Sequence, residues 1–218
     1  VEIPKTSTRQ KLVESALYLF WLNGYEATSV AQILERTGVN PGSFYHFFKR
    51  KEDLLRAVLQ LYLDSLDAVI VAPVRALHAD PIERVFGILA FYRRNLVATG
   101  STYGCPIGRL ALEIPAEQTD VHRLLADNFG GWTAAVAACL REARGRFPAG
   151  TDFDSLATFV LTVMEGGVMQ ARAHRDVAPF DASVSHLRDY FHLLTAPPPS
   201  FGDQADGAGT SSASEISS

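Results

Sequence analysis

Between Ser29 and Lys51 the chain reads SVAQILERTGVNPGSFYHFFKRK, a stretch that helix stop and start signals divide into two. Val30, Ile33 and Leu34 stand at i, i+3 and i+4, which places them on one face of a helix. Ser29 precedes that face, where a side-chain oxygen caps a free backbone N–H. Gly38 stops the helix, because glycine adopts the left-handed conformation that a helix end needs. Asn40-Pro41 then starts a second helix, with Asn as N-cap and Pro at the first position, where its missing N–H costs nothing. The spacing predicts a very short helix over 41–47. Two short helices joined by a tight turn containing Gly make a helix-turn-helix, over about 29–48, whose second helix enters the DNA major groove.

Read as a DNA surface, this stretch offers a definite set of side chains. Phe44 and Phe48 point into the small domain's core. Pro41, Gly42, Ser43, Tyr45 and His46 occupy the exposed positions of the second helix. Gly42 lets backbone approach DNA closely. Ser43 and His46 suit base edges or phosphate. Thr28 and Ser29 serve as helix cap, phosphate contact or both. Gln32 faces outward from the first helix, and Lys49 adds positive charge beside Lys51. Phe47 has no polar atom and is left to packing or to a thymine methyl group.

A wider pattern surrounds the motif: Thr8-Arg9, Ala16 to Phe20, Gly24 to Val30, Ile33, Gly38-Val39, Gly42 to Tyr45, Phe48 and Lys51 to Leu55. These spaced positions resemble the N-terminal DNA-binding domain of the TetR family of bacterial transcriptional repressors, over about 6–66. The resemblance implies a tyrosine–phosphate contact for Tyr45. It implies a phosphate contact for Lys51 at a helix N-terminus. It also implies that the helix beginning at Lys51 links the reader to the rest of the fold. The family often has Tyr-x-His-Phe where this chain has Tyr45-His46-Phe47-Phe48. That displaces the histidine by about 100° around the helix, so its family role does not transfer.

Charge is divided unevenly. The formal net charge is -4, yet residues 1–56 hold eight Lys and Arg against six Asp and Glu, and all four lysines lie in the first 51 residues. A basic end on an acidic remainder orients a protein on polyphosphate. No uninterrupted apolar run reaches the roughly 18 residues of a membrane span, and residues 1–10 have no apolar signal region. Two cysteines, Cys105 and Cys139, make neither a disulfide framework nor a metal set. The expected compartment is a reduced cytoplasm.

The remainder reads as helices without strand alternation. Helices are expected over 8–23, from Lys51 to near Pro73, from Asp80-Pro81 to Thr99, from Cys105-Pro106 to Glu113, from Thr119 or Asp120 to Arg146, over 154–175 and over 182–194. The fold class is therefore all-α, about nine helices: a helix-turn-helix head, then a regulatory and dimerisation domain over 67–195. Gly130-Gly131 and Gly166-Gly167 within helices suggest close packing or a bend. Residues 196–218 are rich in Pro, Gly, Ser and Ala and read as a disordered tail. In the family the last two helices, here near 154–175 and 182–194, pair with their copies. The expected partners are thus a second copy of the chain and a palindromic double-stranded operator.

An effector pocket is expected between the middle helices, with Phe91, Tyr92, Tyr103, Trp132, Phe159, Met164 and Met169 as candidates. Aromatic and methionine stripes also build plain core, and both readings stand. Glu165 and His174 are candidate polar ends. Cys105 opens a helix, where a thiol ionises more readily. Its surroundings, Tyr103-Gly104-Cys105-Pro106, resemble a Gly-Cys-motif subgroup of multidrug- and electrophile-responsive TetR repressors, some of which sense reactive compounds with that cysteine. The other reading is a small buried cysteine capping a helix.

No phosphate loop follows a strand and no metal-ligand spacing occurs. Glu113 with Glu117, or Cys105 with His122, has no local sequence support as a catalytic pair. No enzyme, cofactor or metal is expected. The function expected is transcriptional repression released by a small apolar or reactive molecule. The alternatives are an activator, a regulator without ligand, and a helical thiol-reactive binding protein.

Overall fold

The computed structural model describes residues 7–196, so the expected tail, apart from Ala196, and the first six residues lie outside the described residues. Within them the chain is all-helical and has no strand. The helices are α1 (Thr8–Asn23), α2 (Val30–Thr37), α3 (Pro41–Phe47), α4 (Lys51–Leu77), α5 (Pro81–Ala98), α6 (Pro106–Glu113), α7 (Thr119–Glu142), α8 (Phe153–His174) and α9 (Ala178–Thr195).

The ends of these helices follow local chemistry. The Ser7 hydroxyl accepts the Gln10 N–H, Asn40 Oδ1 accepts the Ser43 N–H at 2.8 Å, and Asp80 Oδ1 accepts the Ile82 N–H at 2.7 Å. Each satisfies an amide that the first helical turn leaves without a partner. Gly38 ends α2 at φ 67°, in the left-handed region.

Three boundaries differ from expectation; one is the end of α7, which stops at Glu142, with the basic residues expected as its last turn in a separate 3-10 turn at Arg144–Arg146. Proline is poorly tolerated inside a helix because its ring meets the carbonyl four residues back, so α4 is expected to stop near Pro73. It continues to Leu77. A π-helical turn at Asp67–Val71 precedes the proline, and there the Ala72 N–H reaches back to the Asp67 carbonyl. The wider turn makes room for the ring. At the other end, α9 begins at Ala178 rather than 182, with Pro179 in its first turn.

Packing runs through both halves. One cluster of buried residues extends from Leu12 to Phe191, and α4 packs on α1 at one end and on α7 further along. By length and composition α4 would cross a bilayer, but Asp64 and Asp67 interrupt it, and Leu54, Leu55, Val58 and Leu59 are buried in the protein core. The glycine pairs do not break their helices. A Cβ on Gly131 would lie 3.1 Å from Leu63 and 3.3 Å from Leu66, and one on Gly167 would lie 3.0 Å from Phe180. These are close approaches between helices, whereas Gly130 and Gly166 face open space.

Candidate nucleic-acid interface and effector cavity

The short helix α3 is fixed from beneath and open above. Phe44 is fully buried and Phe48 nearly so, their rings 5.9 Å apart. Pro41, Gly42, Tyr45, His46 and Phe47 are exposed, and Ser43 is half-buried. The structure therefore brings the expected reader residues onto one surface. Phe47 joins them, its ring edge-on to His46 at 4.9 Å. Ser29 and Gln32 are also exposed, and they hold each other. Ser29 Oγ accepts the Gln32 N–H at 3.2 Å, and Gln32 Oε1 accepts the Ser29 N–H at 2.7 Å. This reciprocal capping box leaves the Gln32 amide nitrogen outside the cap. Lys49 is exposed beside them.

Two of the expected contacts are turned inward. Thr28 is fully buried, and its hydroxyl donates to the carbonyls of Gly24, at 2.7 Å, and Leu19. It closes the turn between α1 and α2 and presents no hydroxyl to DNA. Lys51 Nζ donates to the carbonyls of Tyr25, at 2.9 Å, and Thr28, at 3.2 Å, and lies 4.0 Å above the Tyr25 ring. Its ammonium thus ties α4 to the loop before α2, a geometry that a one-residue view of the helix N-terminus does not reveal. Burial, helped by nearby Glu52, pushes the Tyr25 phenol up to about 12, so this ring stays neutral under the cation.

Behind the reader lies a cavity of about 280 Å³ between α1, α4, α5, α7 and the start of α6. Phe91, Tyr92, Tyr103, Cys105 and Trp132 line it, as expected. Trp21, Tyr62, Asn128 and, from α8, Val168 also line it, none of them expected there from the sequence. Three expected pocket residues are elsewhere. On α8 the buried residues Val160, Met164 and Val168 recur every four positions, and Met164 is only 2 % exposed, in the core and away from the cavity. Phe159 and Met169 each lie one position from that stripe, about 100° round the helix, and are exposed. Phe159 packs against Tyr190 of α9 with ring centres 5.7 Å apart. Met169 borders a separate groove with Leu112 and Glu165. His174 is exposed at the end of α8.

Cys105 is buried, and its surroundings reverse the expected ionisation. Burial first, then the adjacent Glu165, pushes the thiol well above the ordinary range, outweighing the pull of the Ile107 and Gly108 N–H groups. Glu165 is itself raised by burial, and its Oε1 has no hydrogen-bond partner among the described residues. These surroundings favour the protonated thiol over the thiolate that a nucleophile requires. Arg109, one turn along the same helix, does not reach the thiol and is engaged elsewhere.

What Arg109 does instead joins the two halves of the molecule. It donates to the carbonyls of Leu22, at 3.1 Å, and Asn23, at 2.5 Å, and pairs with Glu113 one turn along α6. Glu113 in turn accepts the Tyr25 N–H at 2.7 Å, and Trp21 Nε1 donates to the Gly104 carbonyl at 2.9 Å. Orphan carbonyls at the end of α1 are thus satisfied by a side chain from α6. The only sequence signal of this clasp is the i, i+4 spacing of Arg109 and Glu113. Nearby, Arg56 of α4 pairs with Asp120 of α7 at 2.6 Å, and with Asp53 and Glu52 on its own helix.

Comparison with known proteins agrees with this geometry. Residues 12–58 match the family described as bacterial regulatory proteins, tetR family, and residues 81–186 match the C-terminal domain of LmrA/YxaF-like transcriptional regulators. The chain is 28% identical over 172 residues to the uncharacterized HTH-type transcriptional regulator YxaF of Bacillus subtilis strain 168, covering 79% of this chain and 88% of that one. It is 29% identical over 171 residues to the HTH-type transcriptional repressor ComR of Escherichia coli K12, covering 78% and 81%. The fold is similar to the crystal structure of regulatory protein TetR from Rhodobacter sphaeroides, with a TM-score of 0.75, 24% identity and coverage of 83% and 97%.

Proposed function

The chain belongs to the TetR family of DNA-binding transcriptional regulators, and we propose that it is a cytoplasmic homodimeric repressor released from a palindromic operator when a small molecule fills the central cavity. Pro41, Gly42, Ser43, Tyr45 and His46 meet the major groove, with Ser29, Gln32 and Lys49 on flanking phosphate. The exposed edge of α8 and α9, carrying Phe159 and Tyr190, is the dimer face; apolar side chains of this size left bare on paired helices mark an interface.

The observation that carries the reading is the clasp between α6 and α1. The same short segment that walls the cavity at Tyr103, Cys105 and Ile107 holds the carbonyl end of α1 through Gly104 and Arg109. A ligand that binds better when this segment shifts must bias the position of the reader head, because binding energy and conformational equilibrium are linked. The buried, protonated Cys105 supports release by occupancy rather than by thiol chemistry. A gel-shift titration against the DNA upstream of the protein's own gene tests the reading. Specific binding that weakens steeply with salt is expected. Equal affinity for that DNA and for a scrambled duplex sinks it.

A further inference from the structure

Among the described residues the cavity wall carries no charge of either sign: no Lys, Arg, His, Asp or Glu lines it. An ionised ligand would lose its hydration there without gaining a counter-charge. The walls are instead aromatic, with Trp21 and Tyr103 rings 5.0 Å apart and Tyr92 and Trp132 rings 5.2 Å apart. Such walls suit a flat, uncharged guest.

The phenol hydroxyls of Tyr62, Tyr92 and Tyr103 on this wall can donate or accept, whereas one buried side-chain oxygen beside them can only accept and is unused among the described residues. Asn128 is 4 % exposed and lines the cavity from α7. Its amide nitrogen donates to the Leu59 carbonyl at 3.1 Å and to the Leu124 carbonyl at 2.8 Å. Those two acceptors use both amide protons and fix which end of the side chain is oxygen. Among the described residues no donor reaches Oδ1, and this oxygen is not sealed from the space beside it. A ligand that fills the cavity without supplying a donor would leave this acceptor unpaired, which is costly, whereas one that supplies the donor avoids that cost.

We propose that the effector is an uncharged aromatic molecule carrying a hydroxyl or N–H group, which donates to Asn128 Oδ1 while its ring lies between the aromatic walls. This assignment rests on the reading of the cavity as the effector site. Asn128 is the residue that selects for the donor, and the absence of charge excludes carboxylates and sulfonates of the same shape.

Three shape-matched probes test it on the full chain: 1-naphthol, 1-methoxynaphthalene and 1-naphthoate. Calorimetry gives their affinities at neutral pH. The indole N–H resonances report the location, since the chain's two tryptophans, Trp21 and Trp132, both line the cavity. The expected ranking is naphthol about tenfold tighter than the methyl ether, one hydrogen bond's worth, with naphthoate not bound. In Asn128→Ala the naphthol advantage disappears; if that variant does not fold, the ranking on the unmodified protein decides. Equal affinity for naphthol and its ether, tighter binding of naphthoate, or no shift of either indole by any probe overturns the assignment. These readouts involve no DNA. A failed ranking with intact operator binding removes the ligand class alone, and a correct ranking without operator binding removes the repressor reading alone.

Discussion

The carboxylate of Glu113 accepts the backbone N–H of Tyr25 at 2.7 Å, joining two residues 88 positions apart. The bond crosses from the helix that walls the cavity to the turn that carries the reader. Glu113→Gln keeps the shape and removes the charge. It is expected to cost about 1–2 kcal/mol of stability, as for a hydrogen bond to a charged group, and to weaken the transmission of ligand binding to DNA release. Denaturant unfolding and operator titration with and without ligand measure the two effects. Unchanged values for both dismiss the clasp as a coupling element.

Gly24 sits under the same carboxylate. Its φ is +91°, and an added Cβ would meet the Glu113 carboxylate and lie 2.6 Å from the Arg109 guanidinium. Gly24→Ala is therefore strained by its backbone, and its methyl group would push the ends of the Glu113 and Arg109 side chains out of the clasp. It should lower stability by more than about 1 kcal/mol, seen as a drop in thermal midpoint. An unchanged midpoint argues that α6 does not approach the turn this closely.

The lysines on either side of Arg50 should behave oppositely. Lys49→Ala removes an exposed charge, so the slope of log affinity against log salt should fall by about one, with stability intact. Lys51→Ala removes a cation already bonded to the Tyr25 and Thr28 carbonyls. It should lower stability while leaving the salt slope nearly unchanged. A reversal of these two patterns would place the ammonium of Lys51 on DNA.

Cys105 gives a pH signature. Its folded-state pKa is raised, so its contribution is fully present below the ordinary thiol pKa and is lost as pH rises through that value toward the folded one. The unfolded thiol ionises over that interval while the folded one does not. Cys105→Ala should flatten this alkaline limb in denaturant unfolding above about pH 8.5. Iodoacetamide should label the native thiol slowly at neutral pH. Labelling as fast as a free thiol would restore the reactive-cysteine reading.

Phe159→Glu places a charge on the bare edge of α8. Sedimentation should then show a monomer in place of a dimer, with the helical content unchanged and operator affinity lost. A variant that still sediments as a dimer moves the interface away from α8 and α9.

The helices were legible where local chemistry decides them. Ser, Asn, Asp, Pro and Gly at the ends of α1, α2, α3 and α5 act within one turn, so those boundaries follow from the residues. The reader face was legible for the same reason: Phe44 and Phe48 alternate with exposed Tyr45 and His46 inside seven residues. What eluded the sequence depends on distant neighbours. The inward turn of Thr28 and Lys51 requires the Tyr25 loop to pass beneath α4. Asn128 becomes an open acceptor only because Leu59, 69 residues away, takes one of its amide protons. Phe159 and Met169 are pocket candidates by residue type alone, and the rotation of α8 against α7 and α9 places them outside the cavity.

The π-helical turn before Pro73 gives α4 one residue more than a regular helix would use to span the same distance. Positions downstream of it are out of phase with those upstream, which is how Val74 comes to face inward while Pro73 and Arg75 stay outside. When this segment is aligned with a relative that lacks the proline, the one-residue gap belongs within Asp67–Val71, in the middle of a helix. An alignment that moves the gap to a loop would misassign every cavity-facing residue between them.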